Sequence, residues 1–156
     1  MDLTTTPLTT ATLDPALAVA ELERRLALGT DPSDVHAAVE SGASGLVVVD
    51  SRSEQAWAQG HVPGALHLPT ALIASRATDL VPTGTVVVTY CWGPGCNGAT
   101  RAALAFARLG FAVREMWGGI EYWTREGFGV EVDGVVTAGV PDPLTAPLGR
   151  GAACGC

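Results

Sequence analysis

The sequence predicts an α/β domain with a central, mostly parallel sheet flanked by helices. Two short apolar runs, Leu46-Val47-Val48-Val49 and Val86-Val87-Val88, suit strands covered on both faces. Segments of helical period alternate with them, the pattern of right-handed crossovers over one sheet. The chain has 156 residues, 47% hydrophobic and 16% charged, so it can bury a core rather than remain disordered.

The elements follow in order. Residues 1–13 are Thr-rich and aperiodic and read as a flexible arm. Asp14 reads as an N-cap with Pro15 at the first helical position, opening an extra N-terminal helix over about 14–28. Val19, Leu22 and Leu26 form its apolar stripe opposite Glu21, Arg24 and Arg25, and Gly29 reads as its C-cap. A second helix is expected over 33–41, with Val35, Ala38 and Val39 inward and Gly42 as the stop. Strand 46–49 runs into Asp50-Ser51-Arg52, and Ser53 caps a short helix ending at Gly60. His61 to Ala65 is a turn, 70–79 a helix, and 85–90 the next strand. Helix 98–109 carries Ala99, Ala102, Ala103, Phe106 and Leu109 on one stripe and stops at Gly110. Strand 112–117, the Gly118-Gly119 turn and a last helix at 120–125 follow. His36 reads as a helix-surface residue and His67 as a loop residue. Trp57, Trp117 and Trp123 read as core or sheet-flanking residues. The expected domain is 14–136 with its core at about 33–130. Residues 137–156 read as a flexible tail ending in Cys154-Gly155-Cys156.

Composition narrows the function. The net charge is -7, with nine arginines and no lysine, a surface that repels nucleic-acid backbones. No apolar run is long enough to span a bilayer. The N-terminus lacks the basic and apolar regions of a secretory signal, so a cytoplasmic location is expected. In that compartment four cysteines do not read as a disulfide framework.

The chemistry concentrates in "YCWGPGCNGATRAA", residues 90–103. Cys91 stands at the C-terminal end of a strand, where open α/β sheets bind ligands. Glycines in the loop from Trp92 through Gly93, Pro94, Gly95, Cys96 and Asn97 to Gly98 let backbone N–H groups curl around the sulfur. The following helix adds its positive end. Both features stabilise a thiolate, so the Cys91 pKa is expected to fall. A buried, inert cysteine after an apolar strand is the alternative.

The chain resembles a single-domain rhodanese. Asp50-Ser51-Arg52, Gly60-His61-Val62-Pro63-Gly64-Ala65, "VVVTYC" and "LGFAVREMWGGIEYW" follow the family's order over about 33–130. The resemblance implies a three-layer rhodanese-like fold and a sulfurtransferase. Cys91 would take sulfur from a small anionic donor such as thiosulfate, hold it as a persulfide, and pass it to a thiol or cyanide acceptor. It implies no metal and no organic cofactor. Loop amides from Trp92 to Gly98 would hold the persulfide, and the turn opened by His61 is structural in the family.

Several residues keep two readings. Cys96, five positions after Cys91, either reacts with the Cys91 sulfur or fills a small space facing the sheet. Arg101 either guides an anionic donor or belongs to a solvated helix face. Asp50 and Arg52 either contact substrate or form a hydrogen-bonded corner, and His61 is a base or a turn residue. Trp92 walls the pocket or meets a partner. The Cys91-to-Gly110 stretch is longer than in small-substrate rhodaneses, which widens the expected cradle. Two other functions remain: a non-enzymatic rhodanese-like binding or redox-sensing module, and a Cys-based phosphatase or arsenate reductase. The last needs an Arg clamp in the loop, and the first Arg here is Arg101, already in the helix.

Overall fold

The computed structural model describes residues 14–145. The expected arm at 1–13 and the pair Cys154 and Cys156 lie outside the described residues. Helix α1 (Pro15–Leu28) leads to a two-residue strand β1 (Gly29–Thr30), then α2 (Pro32–Glu40) and β2 (Leu46–Asp50). There follow α3 (Glu54–Ala58), β3 (Leu66–His67), α4 (Thr70–Leu80), β4 (Val86–Tyr90), α5 (Gly98–Arg108), β5 (Ala112–Met116) and α6 (Gly119–Arg125). A hairpin of β6 (Val130–Val132) and β7 (Val135–Thr137) closes the fold.

The five-stranded sheet has order β1-β5-β4-β2-β3, and every pairing is parallel. Successive side chains of a strand point to opposite faces, which divides the core into two layers. Val48, Val88 and Tyr90 pack with Val35 of α2 and Trp123 of α6. Val49 and Val87 pack with Ile73 of α4 and Phe106 of α5. Covering both faces explains the uninterrupted valine runs. Each fully buried Val or Phe contributes about 1.5–3 kcal/mol. Among the described residues no helix is long and apolar enough to cross a membrane.

Local signals set the boundaries. The Asp14 carboxylate accepts from the Ala16 N–H at 2.9 Å, and the Ser53 hydroxyl accepts from the Ala56 N–H at 3.3 Å. Gly110 ends α5 at φ 88°, where a side chain would be strained.

Six expectations need correction. Val19, Leu22 and Leu26 are exposed, because α1 packs at the sheet edge against β1 and β5 rather than over a face. Gly29 is no left-handed cap; its backbone is extended and begins β1. A Cβ there would run into the Trp117 ring. Leu109 leaves the α5 stripe and is exposed. His67 belongs to β3, opposite Asp50 of β2, and half-buried His36 stacks on Phe128 at 4.0 Å. The expected boundary at 136 falls inside β7, and the chain stays attached beyond it: Arg125 bonds Asp142 at 3.4 Å, and the Thr145 hydroxyl donates to the Arg125 carbonyl.

Candidate active site

Cys91 follows the last residue of the central strand β4. From β2 the chain moves outward to β3, and from β4 it moves the other way to β5. The crevice between the ends of β2 and β4 is therefore the switch point of the sheet. The Thr89 hydroxyl donates to the Ala99 carbonyl at 2.9 Å, tying the strand to the start of α5. The first amides of α6 hold the other side: Ile120 N–H donates to the Cys91 carbonyl at 3.0 Å and Glu121 N–H to the Trp92 carbonyl at 2.9 Å. Gly119, at φ 58°, makes this approach possible, since a Cβ there would stand 2.5 Å from the Cys91 carbonyl oxygen.

Beneath the loop lies a buried polar corner. The Arg52 guanidinium donates to both Asp50 carboxylate oxygens, at 3.0 and 2.6 Å, and to the Gly60 carbonyl at 2.7 Å. The Tyr90 hydroxyl donates to Asp50 Oδ2 at 2.7 Å and accepts from the Val62 N–H at 3.0 Å. Burial and the Asp50 carboxylate push the Tyr90 hydroxyl far above the usual tyrosine range. Burial opposes the Arg52 charge, but Asp50 outweighs it and the guanidinium pKa rises. Ser51 donates its hydroxyl to the Tyr90 carbonyl at 2.7 Å, so the ends of β2 and β4 are locked together. His61 stacks on Trp57 at 3.3 Å, and its Nδ1 lies 3.1 Å from the Trp57 carbonyl. A carbonyl only accepts, so Nδ1 carries the proton. The His61 backbone pairs with Glu131 of β6, which joins the hairpin to the corner.

The two loop cysteines meet. Cys91 Sγ and Cys96 Sγ are 3.0 Å apart, within hydrogen-bond reach. The Gly98 N–H donates to Cys96 Sγ at 3.4 Å. A Cβ at Gly98 would come 2.5 Å from Cys91 Sγ, so only glycine lets α5 begin against the sulfurs. The Cys96 N–H is taken by the Gly93 carbonyl at 3.0 Å in a turn, so this amide does not reach the sulfur pair. The lowered pKa falls on the opposite partner from the one expected. Burial and the hydrogen bond with Cys96 push the Cys91 thiol up to about 11, against the pull of the Trp92 N–H and the Arg52 charge. Cys96 is lowered by its bond with Cys91, by the Gly98 N–H and by the Arg101 charge. Of the pair, Cys96 is therefore the thiol that gives up its proton more readily.

A cavity of about 230 Å³ opens onto both sulfurs. Cys91, Gly93, Pro94, Cys96 and Ala99 form one wall; Glu115, Met116, Trp117 and the Gly118-Gly119 turn form the other. Arg25 of α1 completes the rim, its guanidinium 5.1 Å above the Trp117 ring. Trp92 turns away from this cavity. It is 48% exposed, lies 4.6 Å from the Arg52 guanidinium, and lines a separate open depression with Arg52 and Gly60.

The matching family model is the rhodanese-like domain, over residues 31–126. The chain belongs to the rhodanese-like domain family. The crystal structure of the BH2092 protein from Bacillus halodurans is 40% identical with a TM-score of 0.73, and the match covers 78% of this chain and 88% of that one. Thiosulfate sulfurtransferase GlpE of Pseudomonas entomophila is 40% identical over 84 residues, 52% of this chain and 72% of that protein. The HTH-type transcriptional regulator Rv0324 of Mycobacterium tuberculosis is 29% identical over 109 residues. This chain spans only 42% of the regulator's length.

Of the residues expected at the rhodanese-like site, Cys91, Gly93, Pro94 and Cys96 share the cavity, and Gly98 presses on the sulfurs from behind. Trp92, Gly95, Asn97 and Arg101 do not line it. Asp50, Arg52 and His61 sit in the corner, with Arg52 4% exposed and Asp50 fully covered. Sequence reasoning missed Arg25, Glu115 and Trp117. Trp117 was legible as the last residue before a Gly-Gly turn at a strand end. Nothing in the α1 pattern marks Arg25, because its place depends on how α1 folds back over β5.

Proposed function

We propose that this rhodanese-like domain is a sulfurtransferase that carries sulfane sulfur as a persulfide on Cys91. The observation that carries the reading is the position of the Cys91 sulfur: at the end of the central strand, against the α5 N-terminus, and open to a cavity of about 230 Å³. The likeness to a protein named thiosulfate sulfurtransferase supports it. Loss of its proton makes Cys91 the thiolate. That thiolate attacks the outer sulfur of a small anionic donor such as thiosulfate. A Cys91 S–S bond forms, the donor S–S bond breaks, and sulfite leaves with the bonding pair. The α5 N-terminus and Arg25 face the incoming charge. A thiol or cyanide then attacks the outer persulfide sulfur and restores Cys91. A reducing compartment such as the cytoplasm suits a chain that works through free thiols.

Thiosulfate treatment followed by mass spectrometry tests this. Persulfide formation adds about 32 Da at Cys91, and cyanide turns it over to thiocyanate. Absence of uptake and of thiocyanate, from thiosulfate and from glutathione persulfide alike, would refute the proposal.

A further inference from the structure

A simple persulfide carrier needs one sulfur, yet the site holds two, 3.0 Å apart. A disulfide bond is about 2.05 Å long, so about 1 Å of approach separates this contact from a bond. The loop can supply it: a Cβ at Gly95 would meet nothing within 4 Å, so this part of the turn has open space around it. The two thiols also differ in access. Cys91 is 8% exposed, whereas Cys96 is only half-buried and can be reached from outside. The lowered Cys96 pKa adds thiolate character to the outer sulfur.

We infer that Cys96 resolves the Cys91 persulfide internally, so that the domain releases hydrogen sulfide and depends on an external dithiol to restart. This rests on the sulfurtransferase reading above. The Cys96 thiolate attacks Cys91 Sγ, the inner sulfur of the persulfide. The Cys91–Cys96 bond forms, the bond from Cys91 Sγ to the outer sulfur breaks, and the outer sulfur leaves as hydrosulfide with the bonding pair. Displacement at sulfur runs in line, so the hydrosulfide departs on the side of Sγ away from Cys96. The sulfane sulfur is reduced and the two cysteines are oxidised. A dithiol, in the cell a protein of the dithiol-reductant class, then attacks the accessible Cys96 sulfur. It leaves as its own disulfide and returns both thiols. Such a domain consumes sulfane sulfur from a donor-forming reaction and delivers sulfide to a sulfide-using one.

The test compares the full chain with Cys96→Ser. Both are fully reduced, freed of reductant, treated with thiosulfate, and read for released sulfide and, after gel filtration, for mass and disulfide position. The unsubstituted protein is expected to release sulfide and to become about 2 Da lighter through a bond mapped to Cys91 and Cys96. Cys96→Ser is expected to stay about 32 Da heavier at Cys91 and to release at least tenfold less sulfide. Adding dithiothreitol should make sulfide release catalytic only when Cys96 is present. The inference falls if the unsubstituted protein keeps its persulfide, if the extra sulfur moves to Cys96, if the bond goes to Cys154 or Cys156, or if Cys96→Ser releases sulfide equally fast. Those failures leave Cys91 persulfide formation standing. Absence of sulfur uptake by both proteins, with glutathione persulfide as a second donor, would overturn the sulfurtransferase reading and this inference together.

Discussion

Replacing Cys96 by Ser should make Cys91 more reactive toward alkylating reagents near neutral pH, not less. Cys91 is pushed up from an ordinary 9.0 to about 11, first by burial and then by its hydrogen bond with Cys96. Serine keeps the size but cannot hold the charge, so the second cause is weakened while the first persists. Complete removal of the elevation would raise the Cys91 thiolate fraction about a hundredfold below pH 9. Because burial is the larger cause and remains, about tenfold is the expected gain at pH 8. The assay is timed iodoacetamide labelling across pH 6–11, roughly the span of the ordinary and elevated thiol values, with Cys91 followed by peptide mass spectrometry. In the unsubstituted protein Cys96 should label at lower pH than Cys91. The two titrate as a coupled pair, so the order of labelling is more informative than either midpoint. If Cys91 labels ahead of Cys96, or if Cys96→Ser leaves its labelling curve in place or moves it upward, the assignment of the charge to Cys96 is wrong.

Two further predictions concern the surroundings of the pair. Arg25→Ala should lower kcat/KM for thiosulfate about fivefold at low salt, the worth of about 1 kcal/mol for a solvent-screened charge on a dianion. The loss should shrink at high ionic strength; a change under twofold at low salt would remove Arg25 from donor binding. Arg52→Met should destabilise the fold by about 3–5 kcal/mol, because it strands a covered Asp50 carboxylate and leaves the Gly60 carbonyl without its donor. Urea unfolding measures this, and a loss below about 1 kcal/mol would mean that the corner does not hold the ends of β2 and β4 together.

Much of this architecture was legible because the evidence for it is local. Valine runs report strands buried on both faces, and Asp14, Ser53 and Gly110 sit where helix boundaries need them. The loop around Cys91 stood out because thiols, glycines and a helix start are neighbours in sequence. What escaped was set by contacts between distant segments. The apolar stripe of α1 promised a buried face, but helical period says only that residues share a side, not that anything covers it. Arg25 reaches the cavity through a strand pairing, Gly29 with Glu115, that no local pattern announces. The hairpin β6–β7 is a different kind of miss. "VEVDGVVT" carries a turn signal, with Asp133 and Gly134 at φ 50° and 78° as two-residue hairpins require. The Gly- and Pro-rich composition that follows it masked the signal. The Cys91 pKa was misjudged because burial and the bond with Cys96 outweigh the Trp92 N–H that reaches it, while the Gly98 N–H reaches Cys96 instead.

Electrostatics links these pieces. For the proposed reaction, a chain of net charge -7 would have to bring anions to a site where one thiol has a lowered pKa. Its loop supplies no side-chain cation between residues 92 and 97. Three arginines compensate from three different elements: Arg25 on α1, Arg52 after β2 and Arg101 on α5. Arg52 is bound to Asp50, so most of its charge is neutralised before it reaches Cys91. Among the described residues neither Arg25 nor Arg101 is in an ion pair, and both remain available. Their tasks divide by position. Arg101 lies outside the cavity and adds to the lowering of the Cys96 pKa. Arg25 lies on its rim, where a donor dianion would pass. The extra helix ahead of the family's core is therefore part of the site's electrostatics. The isolated core from residue 31 onward would keep the sulfur pair and lose Arg25, the cation that would face a donor in the proposed reaction.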